Sequence, residues 1–264
     1  MPWARASSLH RHLHCPASCS LPQFDRGAWR PGHLANSWQP PVPEQLPARE
    51  QTGLEVEKQQ GWGLSADWGT EMHAAKAGIG TSGQHVALMA PHRDKLWPSR
   101  LGRHEVGVSY DCETRIVDYL ADDADIVDKW KSSRPDSCVV GTVDFWGGLP
   151  TGEPWIDDLK TGWQPPDTVT EQTTFYLMCR HIVANRKWPI GRISVTHWSA
   201  RAWAAGQQDA PTRKWQQLSA FALGEFEYDV IAAYKRAIEP VPTMVPGIQC
   251  EYCPSALVCP KGRE

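Results

Sequence analysis

The chain has 264 residues, a formal net charge of −3, and 41% hydrophobic and 22% charged residues, the balance of a soluble protein with material for a sizeable core. A pI of about 6.4 excludes a protein that coats nucleic acid through bulk positive charge. No stretch approaches the ~20 apolar residues of a membrane helix, and the start MPWARASSLHRHLHC has no apolar signal core, so the expectation is an intracellular protein without a membrane partner.

In chain order, SSLHRHLH at 7–14 reads as a short helix opened by a Ser cap and running into Cys15-Pro16. From 21 to 62, Pro22, Pro31, Pro40, Pro41, Pro43 and Pro47 break any regular element, and the segment reads as an irregular insert. SADWGTEMHAAKA at 65–77 has a helical pattern, with Gly69 four residues before His73 on one face. RHEVGVSYD at 103–111 and TRIVDYL at 114–120 read as two strands around a turn, followed by a polar connector.

SCVVGTVDFWGG at 137–148 is strongly strand-like, and GEPWIDDLKTG at 152–162 pairs with it through a turn. TVTEQTTFYLMCRHIVANR at 168–186 is an amphipathic helix with Gln172 and Tyr176 one turn apart. GRISVTHWSA at 191–200 is a strand, KWQQLSAFAL a further one, and 224–238 a helix ended by Pro240 and Pro242. Strands and helices in this order give an α/β architecture in which helices cover a sheet, as one domain over residues 1–264.

The stretch WIDDLK carries the chemistry. Strand alternation sets Asp158 and Lys160 on one face and Asp157 and Leu159 on the other. A hairpin brings Asp158 to Asp144 of GTVD, and two carboxylates so placed repel each other unless a cation stands between them. A divalent ion such as Mg²⁺ or Mn²⁺ suits hard oxygen ligands and a phosphate substrate. Lys160, on the same face as Asp158, then steadies an attacking water and the charge developing on phosphorus. His73 adds a nitrogen ligand or orients the substrate, and Glu105 is a further acid near the site.

Four motifs, G-x-x-x-H (Gly69 to His73), G-T-V-D (to Asp144), D-x-K (Asp158, Lys160) and Q-x-x-x-Y (Gln172 to Tyr176), occur in the order and spacing of RecB-type nucleases of the PD-(D/E)XK superfamily. The chain resembles that family over nearly its whole length outside the Pro-rich insert. The resemblance implies a restriction-endonuclease-like mixed sheet flanked by helices, with the catalytic core in residues 65–200. It implies a metal site at His73, Asp144, Asp158 and the Leu159 carbonyl, Lys160 as a catalytic residue, and Gln172 and Tyr176 beside the site or the DNA. The second acid is Asp where the family more often has Glu; its shorter side chain leaves Asp157 as a rival, and strand parity favours Asp158. The activity implied is metal-dependent hydrolysis of DNA, from single strands or duplex ends. The alternative is a nucleic-acid-binding or assembly factor that keeps the scaffold without cleaving.

Eight Cys stand at 15, 19, 112, 138, 179, 250, 253 and 259. Cys112, Cys138 and Cys179 read as small buried hydrophobes. Cys250-x-x-Cys253 with Cys259 supplies three thiolates, for which Cys15, or Cys19 as its rival, is the fourth. Four thiolates bind either Zn²⁺ or a [4Fe–4S] cluster. The chain is similar to an iron–sulfur subset of RecB-type nucleases, found in CRISPR spacer acquisition and in phage single-domain exonucleases, that joins one upstream Cys to three at the C-terminus. That likeness implies a [4Fe–4S] cluster at Cys15, Cys250, Cys253 and Cys259, with Zn²⁺ as the competing occupant, stapling segment 245–264 to the N-terminus. It also implies DNA as partner, with a second copy of the chain or a recombination or CRISPR protein as a further one.

Overall fold

The computed structural model describes residues 4–15, 62–78, 83–161, 169–198, 211–239 and 245. Seven strands form one mixed sheet: β1 (Ala4–Arg5), β2 (Gly102–Asp111), β3 (Val117–Leu120), β4 (Cys138–Gly148), β5 (Pro154–Lys160), β6 (Ile190–His197) and β7 (Thr212–Ser219). The spatial order is β3-β2-β4-β5-β6-β7, with β1 on β4. The β1–β4 and β5–β6 pairs are parallel and the others antiparallel. The helices among the described residues are α1 (Leu9–His14), α2 (Trp62–Ala77), α3 (Gly83–Leu96), α4 (Ala124–Ser132), α5 (Glu171–Val183) and α6 (Ala220–Ala237).

Helices cover both faces of the sheet. On one face α5, α6 and α1 pack Phe175, Leu177, Val230 and Leu9 onto Val106, Val108, Val143, Ile156 and Ile193. On the other, Met72 of α2 and Met89 of α3 meet Phe145, Trp155, Leu159 and Trp97. A parallel β5–β6 pair needs a crossover, and α5 supplies it. Its start is fixed by a reciprocal capping box: Thr170 Oγ1 accepts from Thr173 N–H, and Thr173 Oγ1 accepts from Thr170 N–H. Gly141 of β4 lets α5 lie close to the sheet, since a Cβ there would stand 2.6 Å from the Tyr176 hydroxyl and 2.8 Å from Ala6 Cβ.

Three local expectations change. Residues 83–96 and 124–132 are helical, where the sequence pattern marks no element. α3 holds Pro91, which a helix interior rarely tolerates, and α4 is only nine residues long, with Val127 as its buried residue. KWQQLSAFAL divides: β7 ends at Ser219, whose hydroxyl accepts from Ala222 N–H and starts α6 at Ala220, earlier than 224. A 3-10 turn over Ala6–Ser8 precedes the first helix, and Ser8 Oγ donates to Arg5 O at 3.0 Å. The Pro-rich insert lies almost wholly outside the described residues. Among the described residues no helix is long and apolar enough to cross a membrane.

Candidate metal centre at the fork of two strands

Along one edge of β4 the partner changes. β1 pairs with Val139 and Val140, and β5 pairs with Phe145 to Gly148. Between them residues 141–144 have no strand partner on that edge among the described residues. The β4–β5 ladder stops at Phe145↔Asp157, so the strands part where Asp144 and Asp158 stand. Asp144 Oδ2 accepts the Leu159 N–H at 2.6 Å, bridging the fork. Lys160 Nζ lies 2.7 Å from Asp158 Oδ2.

His73 reaches this fork from α2, with Nδ1 3.3 Å from Asp144 Oδ1 and 3.9 Å from Glu105 Oε1. Gly69, one turn earlier, brings the helix against the end of β5: a Cβ there would stand 2.8 Å from Thr161 Oγ1. Glu105, opposite Asp144 on β2, has φ +49°, a left-handed backbone costly for a residue with a side chain and concentrated at functional sites. His73, Glu105 and Asp144 each offer a ligand atom, all within 4.8 Å of one another. Asp158 stands outside that triad, paired with Lys160, and the Leu159 side chain is buried in the core beneath.

The electrostatics separate the two acids. Burial pushes Asp144 up, but His73, Lys76 and Lys160 outweigh it and hold its carboxyl below the usual range. Burial and the neighbouring Asp144 charge push Asp158 up to about 6 against the pull of Lys160. Asp144, aided by hydrogen bonds, raises His73 to about 10 against its burial. Burial works against the Lys160 ammonium, yet Asp158 and Asp144 leave its pKa above the usual lysine value.

For His73, a folded pKa of about 10 over an unfolded value of about 6.5 stabilises the fold fully below pH ~6.5, and the effect is lost as pH rises through ~10. In the metal-free protein, melting temperature is therefore expected to fall from pH 7 to 10 more steeply than in His73→Gln. A metal ion on His73 displaces its proton, so Mn²⁺ binding should tighten over the same range. Equal pH slopes in the two proteins count against the His73–Asp144 pair.

Asp157 belongs to the opposite face and is fully buried. Trp97 Nε1 donates to its Oδ1 at 2.7 Å; Oδ2 accepts from Ser194 and from Thr196 at 3.0 Å, and Arg213 Nη2 lies 3.1 Å away. Arg213 is itself held by Thr196 Oγ1 at 2.9 Å and by the rings of Trp97, Trp155 and Trp215. This carboxylate braces the sheet and does not face the fork.

On α5, half-buried Gln172 donates to the Tyr176 hydroxyl at 3.2 Å, and Tyr176 is buried in the core beneath Gly141. Burial pushes the Tyr176 phenol up, and the charges of Asp158 and Asp144 add to that shift, so its hydroxyl lies within their field. Lys76, which the sequence reading missed, lies one turn after His73 with its ammonium on the Asp144 carbonyl and 3.9 Å from Glu105 Oε1. Its i, i+3 spacing from His73 was the available signal. Cys15, Cys112, Cys138 and Cys179 are buried free thiols; Cys19, Cys250, Cys253 and Cys259 lie outside the described residues.

No protein-family model and no curated protein matches the chain. A solved structure described as "Crystal structure of SSO0001" aligns over 97% of this chain and 84% of its own, with 12% identity and a TM-score of 0.41. A likeness this distant bears on neither activity nor ligand.

Proposed function

We propose that the chain is a metal-dependent nuclease that hydrolyses phosphodiester bonds in DNA, acting on single strands or duplex ends, on a restriction-endonuclease-like sheet. The observation that carries the reading is the fork itself. Asp144 and Asp158 stand where β4 and β5 part, with His73 and Glu105 beside the first acid and the Lys160 ammonium 2.7 Å from the second.

The donor set fits a hard divalent cation. Glu105 Oε1 is a buried carboxylate oxygen without a hydrogen-bond donor, and it faces His73 Nδ1 at 3.9 Å. Carboxylate oxygens with one imidazole suit Mg²⁺ or Mn²⁺. His73, Glu105 and Asp144 would hold the ion; Asp158 and the Leu159 carbonyl complete the set that the family resemblance implies. Such an ion supplies positive charge beside the phosphoryl oxygens and acidifies a water.

The chain's own groups do the rest. Lys160, partly exposed at the end of β5, offers its ammonium to the phosphate and to the attacking water. Asp158 fixes that ammonium's position. Gln172 and Tyr176 lie on the helix after the hairpin and steady the floor of the site.

Purified protein with Mg²⁺ or Mn²⁺ is expected to degrade end-labelled single strands or duplexes and to leave closed circles intact. Cleavage of circles as fast as of linear DNA would make it an endonuclease. No cleavage of any DNA or RNA form, with Asp144-dependent metal binding intact, would leave a binding or assembly factor.

For the cysteines, the reading is a [4Fe–4S] cluster at Cys15, Cys250, Cys253 and Cys259, supported by their spacing and by the burial of Cys15 beside α1. An anaerobic preparation is expected to be brown and to contain iron and sulfide. A colourless one with one zinc per chain would assign the thiolates to Zn²⁺ instead.

A further inference from the structure

Lys76 is wholly buried on α2, beside the fork and away from water. Its ammonium donates to the carbonyl of Asp144, stands 3.9 Å from Glu105 Oε1 and lies 5.2 Å from the centre of the Trp97 ring. A buried ammonium persists only where carboxylate, carbonyl and ring faces replace its hydration. Two of the groups that replace it here belong to candidate metal-holding residues, Glu105 and Asp144. Lys76 therefore cannot change without changing the charge that a bound cation meets.

The formal charges can be added. Glu105, Asp144 and Asp158 contribute three negative charges, and Lys76 and Lys160 two positive ones, which leaves −3 + 2 = −1 with His73 neutral as a ligand. One divalent ion brings the site to +1, the complement of the single negative charge on a phosphodiester. A second divalent ion would bring it to +3 in a largely buried place. Without Lys76, one divalent ion would bring the site to zero and leave no attraction for a phosphate.

We infer that Lys76 is the charge-setting residue of the site: its buried ammonium beside Glu105 and the Asp144 carbonyl restricts the fork to one divalent ion and leaves the single positive charge that recognises a phosphodiester. It touches neither substrate nor reacting atoms and acts through Glu105 and Asp144, so it is a positioning residue. This rests on the nuclease reading proposed above.

Lys76→Gln keeps a donor for the Asp144 carbonyl and removes the charge, and Lys76→Met keeps the packing against Trp97. In both, the affinity for Mn²⁺ alone, followed by electron paramagnetic resonance, is expected to rise roughly tenfold as one repelling charge is removed. The KM for a short fluorescent single-stranded oligonucleotide should rise by a similar factor. A merely structural lysine would weaken both. Unchanged or weaker Mn²⁺ binding in folded variants, or an unchanged KM, would overturn the assignment. Should neither variant fold, the wild-type count decides: one Asp144-dependent Mn²⁺ per chain supports the inference and two refute it. Wild-type protein that binds no Mn²⁺ in an Asp144-dependent way removes the metal-site reading itself, a failure distinct from that of Lys76.

Discussion

Replacing Lys160 by alanine is expected to lower the rate of DNA cleavage in Mg²⁺ or Mn²⁺ by roughly 10²–10³-fold, the loss that follows removal of one preorganised charge-stabilising donor. The fold should survive. Lys160 is partly exposed at a strand end, where truncation of a side chain costs about 0.5 kcal/mol. Asp158, left without its ammonium, has a pKa already raised to about 6 and takes up a proton rather than remaining as a buried unpaired charge. Asp144→Asn should lose activity to a similar or greater degree by a different route, because it removes a charge that holds both the cation and His73. The two variants separate in metal binding: Lys160→Ala still binds Mn²⁺ through His73, Glu105 and Asp144, and Asp144→Asn does not. Activity that persists in both variants would end the nuclease assignment.

Arg213→Ala is expected to destabilise the protein by about 3–5 kcal/mol, the loss typical when one partner of a buried ion pair is removed. The reason lies in how completely Asp157 is enclosed. It has no exposed surface, and its ionic partner is Arg213, 3.1 Å away among three Trp rings. Truncation leaves a buried carboxylate held only by Trp97, Ser194 and Thr196, and also empties the space between the rings. Urea unfolding of Arg213→Ala, Asp157→Leu and the double variant gives the coupling directly. The double variant should lose less than the sum of the singles, yet not return to wild type, since the Trp97, Ser194 and Thr196 donors then lack an acceptor. Additive losses would show that Asp157 and Arg213 do not act as a pair.

Much of this region is legible in WIDDLK because a strand alternates its faces. That periodicity alone separates Asp158 and Lys160 from Asp157 and Leu159, and the structure has Asp158 against Lys160 and Asp157 on the reverse face. The strands β2, β4 and β6 and the helix α5 follow from β-branched runs and helical spacing. The helices α3 and α4 were not legible, since α3 holds Pro91 and α4 is short and of mixed charge.

Glu105 and Lys76 mark the limit of such reading. Glu105 in RHEVGV has the pattern of an exposed strand acid, and only the register of β2 on β4 sets it opposite Asp144 with a left-handed backbone. Lys76 near the end of a helix has the pattern of an ordinary solvated residue, yet the packing of α2 against β4 buries it entirely. The partner of Asp157 is likewise invisible locally, because Arg213 lies 56 positions along the chain on a strand two places away in the sheet.

By itself, then, the sequence determined the alternation of faces, the acids at the hairpin and the one-turn spacings of Gly69 to His73 and Gln172 to Tyr176, because these depend on neighbours a few residues apart. The tertiary structure alone decided which charge meets which. The parting of β4 and β5, the approach of α2 over Gly69 and the enclosure of Asp157 and Lys76 depend on segments far apart in the chain, and burial fixes their charges only once those segments have packed.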